Sequence, residues 1–257
     1  MAALETALRK VRDGGGKGFV PYVTGGYPGV DAELLRTLAA IGADAIEVGV
    51  PHSDPIMDGG VVQQASATAL GAGVHPSDVL QDIADADVDI PIAIMTYANI
   101  VSRHGIERFC DEARAAGVSG LIVPDLPVDE ASELDAVTAE RGIDAVLLAA
   151  PGTSTDRYAA IGAAAHGFVY CVATYGVTGA RDSLAATARE VVDAMRSQTD
   201  LPLLVGVGIA TPELATEACA FADGVIVGSA LMARLLERDR SGFESLATSF
   251  RSAVPGA

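Results

Sequence analysis

Eight short apolar runs, separated from end to end by amphipathic helical segments, predict an α/β chain of the (β/α)8 TIM-barrel class in a single domain. The runs are Phe19–Val23, Ala45–Val50, Ile90–Met95, Gly120–Val123, Ala145–Ala149, Gly167–Val172, Leu203–Val207 and Gly224–Val227, each of strand length and bounded by turn residues. A second observation is a repeated link from helix to strand through glycine: Ile41-Gly42-Ala43-Asp44, Ala116-Gly117-Val118-Ser119 and Arg141-Gly142-Ile143-Asp144. The third is polarity. Glu47, Asp58, Tyr97, Asn99, Asp125, Tyr170, Thr178, Gly206, Gly208, Gly228 and Ser229 all fall at or just past strand ends, where barrels carry their chemistry, while the opposite loops carry Gly, Ala and Asp turns. A doubly wound open sheet shares the alternation and is the competing architecture.

The leading segment, Met1–Arg12, has helical spacing of Leu4, Leu8 and Val11 without a signal-peptide core, and predicts a short N-terminal helix. Ala32–Ile41 places Leu34, Leu35, Leu38 and Ile41 on one stripe. Further helices are expected at about Gly105–Ala116, Glu130–Arg141, Thr155–Ala164, Ser183–Ser197 and Thr211–Ala220, and one directly after the eighth run. With no linker, low-complexity tract or composition shift, one domain is expected over residues 1–257.

Composition narrows the function classes. The chain carries 21 Asp and 13 Glu against 15 Arg and two Lys, for a net charge of −17. Nothing there would neutralise a phosphate backbone, which disfavours nucleic-acid binding. The acidic charge is dispersed, as on a solvated surface, and Asp enrichment with Lys depletion points to a halophilic host with a salty cytoplasm. Cys110, Cys171 and Cys219 are far apart and odd in number, which suits a reducing compartment and argues against a disulfide or zinc framework. No apolar run approaches the roughly 20 residues that span a bilayer, so a cytoplasmic protein is expected.

The richest stretch runs from Glu47 to Gly59. Strand alternation puts Ile46, Val48 and Val50 on one face and Ala45, Glu47 and Gly49 on the other, so a carboxylate between small residues points inward. Isolation from water predicts a raised pKa or a dedicated partner for Glu47. Asp54 and Asp58 follow on a loop stiffened by prolines. A buried acid beside a wetter one suits acid–base chemistry. A structural Glu paired with an arginine is the bland alternative.

Near the end, Gly206-Val207-Gly208 precedes a helix with Thr211 as N-cap and Pro212 at its first position, and Gly228-Ser229 opens another. Glycines let an anion approach the backbone, and helix N-termini offer free N–H groups, at the place where barrels commonly bind phosphate. Gly176-Val177-Thr178-Gly179 is a third glycine-rich turn on that side. Each of these glycine pairs is also compatible with a plain turn. The two lysines, Lys10 and Lys17, lie before the first strand, at the wrong end for a Schiff-base aldolase. The histidines His52, His75, His104 and His166 sit in separate segments without metal-ligand spacing, and His52 reads as a loop contact. What remains is a metal-free, cofactor-free barrel using carboxylates on a phosphorylated small molecule.

From about Phe19 to Ser229 the chain closely resembles the α-subunit family of tryptophan synthase. The resemblance rests on Pro21-Tyr22-Val23-Thr24-Gly25-Gly26-Tyr27-Pro28-Gly29, Glu47–Gly59, Tyr97-Ala98-Asn99, Pro124-Asp125-Leu126-Pro127, Gly176–Gly179 and Gly206–Ile209. It implies cofactor-free retro-aldol cleavage of indole-3-glycerol phosphate to indole and glyceraldehyde 3-phosphate. On the matching positions, Glu47 is the general acid/base, Asp58 binds the indole N–H and stabilises the indolenine cation, and Tyr170 lies near the reacting carbons. Tyr22, Met95, Ile122 and Thr178 line the indole site; Gly179, Gly208, Gly228 and Ser229 hold the phosphate. The resemblance also implies a β subunit carrying pyridoxal phosphate in an α2β2 heterotetramer, with Asp54, Pro55 and Tyr97–Asn99 as interface candidates. Two departures stand out: Ala173-Thr174-Tyr175 before Gly176, and Gly60 where relatives often have proline, which raises backbone freedom there. Another phosphate-binding barrel, or an idle barrel serving only as an allosteric partner, are the competing functions; absent strand-end lysines and the retained acid pair weigh against them. If the acidic surface is a salt adaptation, unfolding midpoints rise between low and molar NaCl, and equal midpoints refute the adaptation.

Overall fold

Aliphatic and β-branched residues fill the eight apolar runs, and in the computed structural model, which describes residues 3–172 and 181–256, every run forms a strand. These are β1 (Gly18–Thr24), β2 (Ile46–Gly49), β3 (Ile92–Met95), β4 (Val118–Ile122), β5 (Asp144–Ala149), β6 (Val169–Val172), β7 (Leu203–Gly206) and β8 (Gly224–Val227). All neighbours pair in parallel and in sequence order, and β8 returns to β1 through Gly18↔Gly224 and Pro21↔Val227. The sheet is a closed barrel, which excludes the doubly wound alternative because no strand edge is left.

Around it lie α1 (Ala3–Asp13), α2 (Ala32–Ile41), α3 (Gly60–Gly71), α4 (Pro76–Ala86), α5 (Ala98–His104), α6 (Ile106–Ala115), α7 (Ser132–Glu140), α8 (Thr155–Ala164), α9 (Arg181–Arg196), α10 (Pro212–Cys219), α11 (Ser229–Leu236) and α12 (Arg240–Ala253). None of the described helices is long and apolar enough to cross a membrane. The three cysteines are free and buried.

Several expected boundaries move, each for a local reason. β3 starts at Ile92 and not Ile90, because Pro91 has no N–H for the ladder, although its carbonyl accepts from Ile46 N–H at 3.0 Å. β6 starts after Gly167, whose φ of +76° is incompatible with a strand, and β7 stops at Gly206 because Val207 turns to φ +63°. The helix expected at Glu130–Arg141 is a 3-10 turn, Val128–Glu130, followed by α7. The helices α3, α4, α5 and α12 were not anticipated. On α3 the buried stripe is Val62, Ala65, Ser66 and Ala69, mostly small residues that give little amphipathic contrast. The start of α4 did carry a signal: His75 N–H donates to Asp78 Oδ2 at 2.8 Å in a capping box, with Pro76 at the first helical position.

The repeated Gly-x-Asp link has a structural purpose. Gly42 caps α2 at φ +98°, a left-handed conformation open to glycine. Two residues on, Asp44 accepts from Phe19 N–H at 2.8 Å and from Arg251 at 2.8 Å. Asp144 and Asp223 repeat the device: Asp144 accepts from Glu5 N–H at 2.9 Å, and Asp223 from Leu203 N–H at 2.9 Å. The carboxylates thus tie backbone amides along the N-terminal rim of the barrel.

That rim is plugged by α1. Methyls of Leu4 would lie 2.4 Å from a Cβ on Gly120 and 3.3 Å from one on Gly167, and Leu8 would lie 3.2 Å from one on Gly18. These three glycines leave the space in which the helix seats. Arg9 holds Glu5 at 2.7 Å and Asp200 at 2.8 Å, fastening the plug at its edge. Leu4→Ala opens a cavity under the barrel and is expected to cost about 2–5 kcal/mol, read by chemical denaturation; a loss well under 1 kcal/mol would show that α1 is not seated.

Candidate active site

With the N-terminal end of the barrel plugged by α1, side chains at the strand C-termini line the opposite mouth. Glu47 pairs in register with Tyr22 of β1 and Ala93 of β3, and its side chain turns to the barrel interior. It is 1% exposed, and neither carboxylate oxygen has a hydrogen-bond partner among the described residues. Among the described residues no arginine pairs with it, as the structural alternative would have required. Burial, followed by the negative charge of Asp58, pushes the Glu47 carboxyl up to about 8.

The room that Gly49 leaves beside Glu47 is occupied. A Cβ on Gly49 would lie 2.2 Å from Tyr22 Oη, so the tyrosine crosses the glycine and reaches over the strand that carries the acid. Its other edge lies against β8, where a Cβ on Gly228 would be 3.0 Å from the ring. Tyr170 repeats the arrangement across the barrel, with its hydroxyl 2.2 Å from where a Cβ on Gly206 would stand. Both tyrosines are buried, and their hydroxyls are held well above the usual range by burial first, then by Asp58 for Tyr22 and by Glu47 for Tyr170. Glu47, Asp58, Tyr22 and Tyr170 therefore sit within electrostatic reach of one another.

Asp58 is half-buried on the loop between β2 and α3. Tyr97 Oη donates to its Oδ2 at 3.2 Å and accepts from Met57 N–H at 3.2 Å. Burial raises the Asp58 carboxyl to about 6, while the Tyr97 hydrogen bond and then the charge of His52 act to lower it. The sequence placed Tyr97 among the strand-end and interface candidates. The structure buries it and ties it to Asp58; its position just past β3, next to the β2 loop, was the available signal. Asp125 accepts from Ala98 N–H at 2.9 Å and so anchors the start of α5, which Tyr97 caps.

Met95 and Ile122 end β3 and β4 in register with one another, on the interior side that Glu47 also faces. The glycine-rich positions gather on the opposite wall. Gly208 has φ +103°, and Val207 before it has φ +63°, a strained setting for a β-branched residue. Gly228 precedes α11 without a side-chain cap, leaving the first-turn N–H groups free, and Ser229 Oγ lies 3.8 Å from where a Cβ on Gly59 would be. Gly59 follows Asp58 directly, so the acid loop and the start of α11 face each other. Thr178 and Gly179 lie outside the described residues.

A cavity of about 540 Å³ opens over the ends of β4, β5 and β6, with Met57, Pro124, Leu126, Leu148 and Val172 in its walls. It adjoins the acid pair through Met57, without including Glu47. Among the described residues no group of three or more His, Cys, Asp or Glu is arranged to hold a metal ion.

The sequence profile of the family described as tryptophan synthase alpha chain matches residues 8–253. A tryptophan synthase alpha chain from Microcystis aeruginosa is 43% identical over 258 residues, covering 98% of each chain, and one from Synechococcus elongatus is 42% identical over 259 residues, covering 99% of this chain and 97% of its own. Among solved structures, a chain of Mycobacterium tuberculosis tryptophan synthase superposes with a TM-score of 0.91 at 36% identity, covering 100% of this chain and 99% of that one. The alpha subunit from Legionella pneumophila gives 0.87 at 33% identity over 98% of both. Barrel, acid pair and near full-length similarity agree, and the chain belongs to the tryptophan synthase alpha chain family.

Proposed function

We propose that Glu47 and Asp58 divide the work of the reaction this family performs, the cleavage of indole-3-glycerol phosphate to indole and glyceraldehyde 3-phosphate. The observation that carries this reading is the partnerless, buried carboxyl of Glu47 beside the wetter Asp58. Between about pH 6 and 8 the first is protonated and the second ionised, opposite states in one mouth.

Protonation of the indole ring carbon that bears the glycerol phosphate chain takes the proton from Glu47 and leaves positive charge at the ring nitrogen. Asp58, ionised, accepts the N–H and stabilises that cation. Glu47, now a carboxylate in an apolar setting, takes the proton of the adjacent hydroxyl. The carbon–carbon bond then breaks, its electron pair returns to the indole ring, and the new carbonyl becomes that of glyceraldehyde 3-phosphate. The hydroxyl proton ends on Glu47, which restores the starting state. Tyr170, beside Gly206, is assigned to the reacting carbons, and Tyr22, Met95, Ile122 and Thr178 to the indole ring.

The phosphate is assigned to Gly208, Gly228, Ser229 and Gly179. Free N–H groups at the start of α11 and a positive helix end favour an anion without a lysine, in a protein whose net charge of −17 would repel one. Members of this family need no cofactor for the alpha reaction. We assign pyridoxal phosphate to the β subunit, and to this chain a place in a cytoplasmic α2β2 heterotetramer in a halophilic host. The Asp54–Met57 turn supports a docking role, since Ile56 is 77% exposed at its tip beside Asp58.

Purified protein incubated with indole-3-glycerol phosphate is expected to release indole, with kcat/KM falling below about pH 6 as Asp58 protonates and above about pH 8 as Glu47 ionises. Glu47→Gln and Asp58→Asn each lower kcat by about 10²–10⁴-fold with an unchanged circular dichroism spectrum; near-normal turnover in either overturns the assignment. Stability moves the other way for Glu47→Gln. The folded-state carboxyl titrates near 8 against an ordinary 4.5, so across that window the unfolded chain has lost its proton and the folded chain still holds one. The parent loses stability as pH rises through the window and the variant does not. Denaturation at pH 8.5 is therefore expected to show the glutamine variant more stable by a few kcal/mol (on the order of the shift), with a smaller gap at pH 5.

A further inference from the structure

We propose that His52 is a positioning residue whose ring, laid flat on Tyr97, sets the Tyr97 hydroxyl and through it the Asp58 carboxylate. The catalytic part of this inference rests on the role given to Asp58 above. The His52 and Tyr97 rings stack at 4.3 Å between centroids with an interplanar angle of 18°. Both ring nitrogens are engaged. Asp54 N–H approaches Nδ1 at 3.1 Å, and an amide can only donate, so Nδ1 carries the lone pair. The ring proton is then on Nε2, which donates to Asn99 Oδ1 at 3.0 Å. Asn99 stands in the first turn of α5, the helix that Tyr97 caps. One short element thus supplies both the surface on which the imidazole lies and the acceptor that orients it.

The far end of Tyr97 completes the clamp. Its hydroxyl accepts from Met57 N–H and donates to Asp58, both at 3.2 Å. The loop from His52 to Asp58 is therefore folded around one tyrosine, with the ring face held at the start of the loop and the hydroxyl at its end. Asp58 is a loop residue with no strand to fix it, and Tyr97 is the described side chain that hydrogen-bonds its carboxylate. A phenylalanine at position 52 would stack as well, but would leave the Asp54 N–H and the Asn99 amide without the ring. Asp58 is also faced by Glu47 from β2, Tyr22 from β1 and Tyr170 from β6; Tyr97 is faced in addition by Asp125. The described contacts of His52 are with Tyr97, Asn99 and Asp54, so a change there reaches Asp58 through Tyr97 or through loss of the imidazole dipole.

The test uses the full chain with His52→Ala and His52→Phe. Carboxyl-carbon NMR, with the Asp58 signal assigned by its loss in Asp58→Asn, follows the Asp58 titration without any need for turnover. In His52→Ala the midpoint is expected to move upward from about 6, because the lowering hydrogen bond from Tyr97 is loosened. His52→Phe, which keeps the stacked face, is expected to stay nearer the parent. In the indole-release assay, His52→Ala is expected to lower kcat about tenfold with KM held within about twofold, and to move the acidic limb upward with the NMR midpoint. An unmoved midpoint in His52→Ala overturns the proposal. So does an equal displacement in both variants, which would assign the effect to loss of the imidazole and not of the stacked face. If the unmodified chain releases no indole but the midpoint shifts as expected, the catalytic reading fails and the positioning contact stands.

Discussion

A carboxyl group held in the barrel without a hydrogen-bond partner among the described residues is the constraint on which the site depends. Closure of the eight-stranded sheet leaves every strand paired on both sides, so the interior is dry and its walls are made of aliphatic and aromatic side chains. In that setting an ionised Glu47 is penalised by burial and by Asp58, and the neutral acid is the favoured form. A structural carboxylate would have been matched by a cation or by backbone amides, as Asp44, Asp144 and Asp223 are along the opposite rim. Glu47 has neither, and a group kept in that condition is available to a bound molecule.

The two ends of the barrel divide stability and chemistry. At the N-terminal end, α1 inserts Leu4 and Leu8 over Gly18, Gly120 and Gly167, and aspartates tie amides along the rim. At the C-terminal end, the glycines make room for other purposes. Gly49 and Gly206 admit the hydroxyl ends of Tyr22 and Tyr170, while Gly228 leaves the start of α11 uncapped. Each tyrosine is seated by a glycine on a neighbouring strand. The strain at Val207, φ +63°, also sits at this end, as strained backbone tends to where binding outweighs local comfort.

Much of the architecture was legible because hydrophobic period and turn chemistry are local. Strand alternation alone placed Glu47 on the inner face, and the glycines at 42, 117 and 142 marked helix ends that the structure shows at positive φ. The misplacements have local causes too. Pro91 delayed β3, and the small-residue stripe of α3 hid a helix. Tyr97 was noted as a strand-end residue and an interface candidate but not as a partner of Asp58, because that hydrogen bond joins residues 39 apart, and no periodicity carries that information. The same holds for His52, which stacks on that tyrosine across 45 positions.

By itself the amino-acid order determined the barrel class and pointed to Glu47 and Asp58 as candidate acids at and beyond one strand end, since each follows from patterns a few residues long. Only the tertiary structure decided that no described arginine pairs with Glu47, that Tyr22 fills the space beside it, and that Asp58 is held by a tyrosine under a histidine. Those outcomes depend on which loops and strands meet once the sheet has closed, and on how much water closure leaves at each carboxyl. Both are properties of the packed molecule.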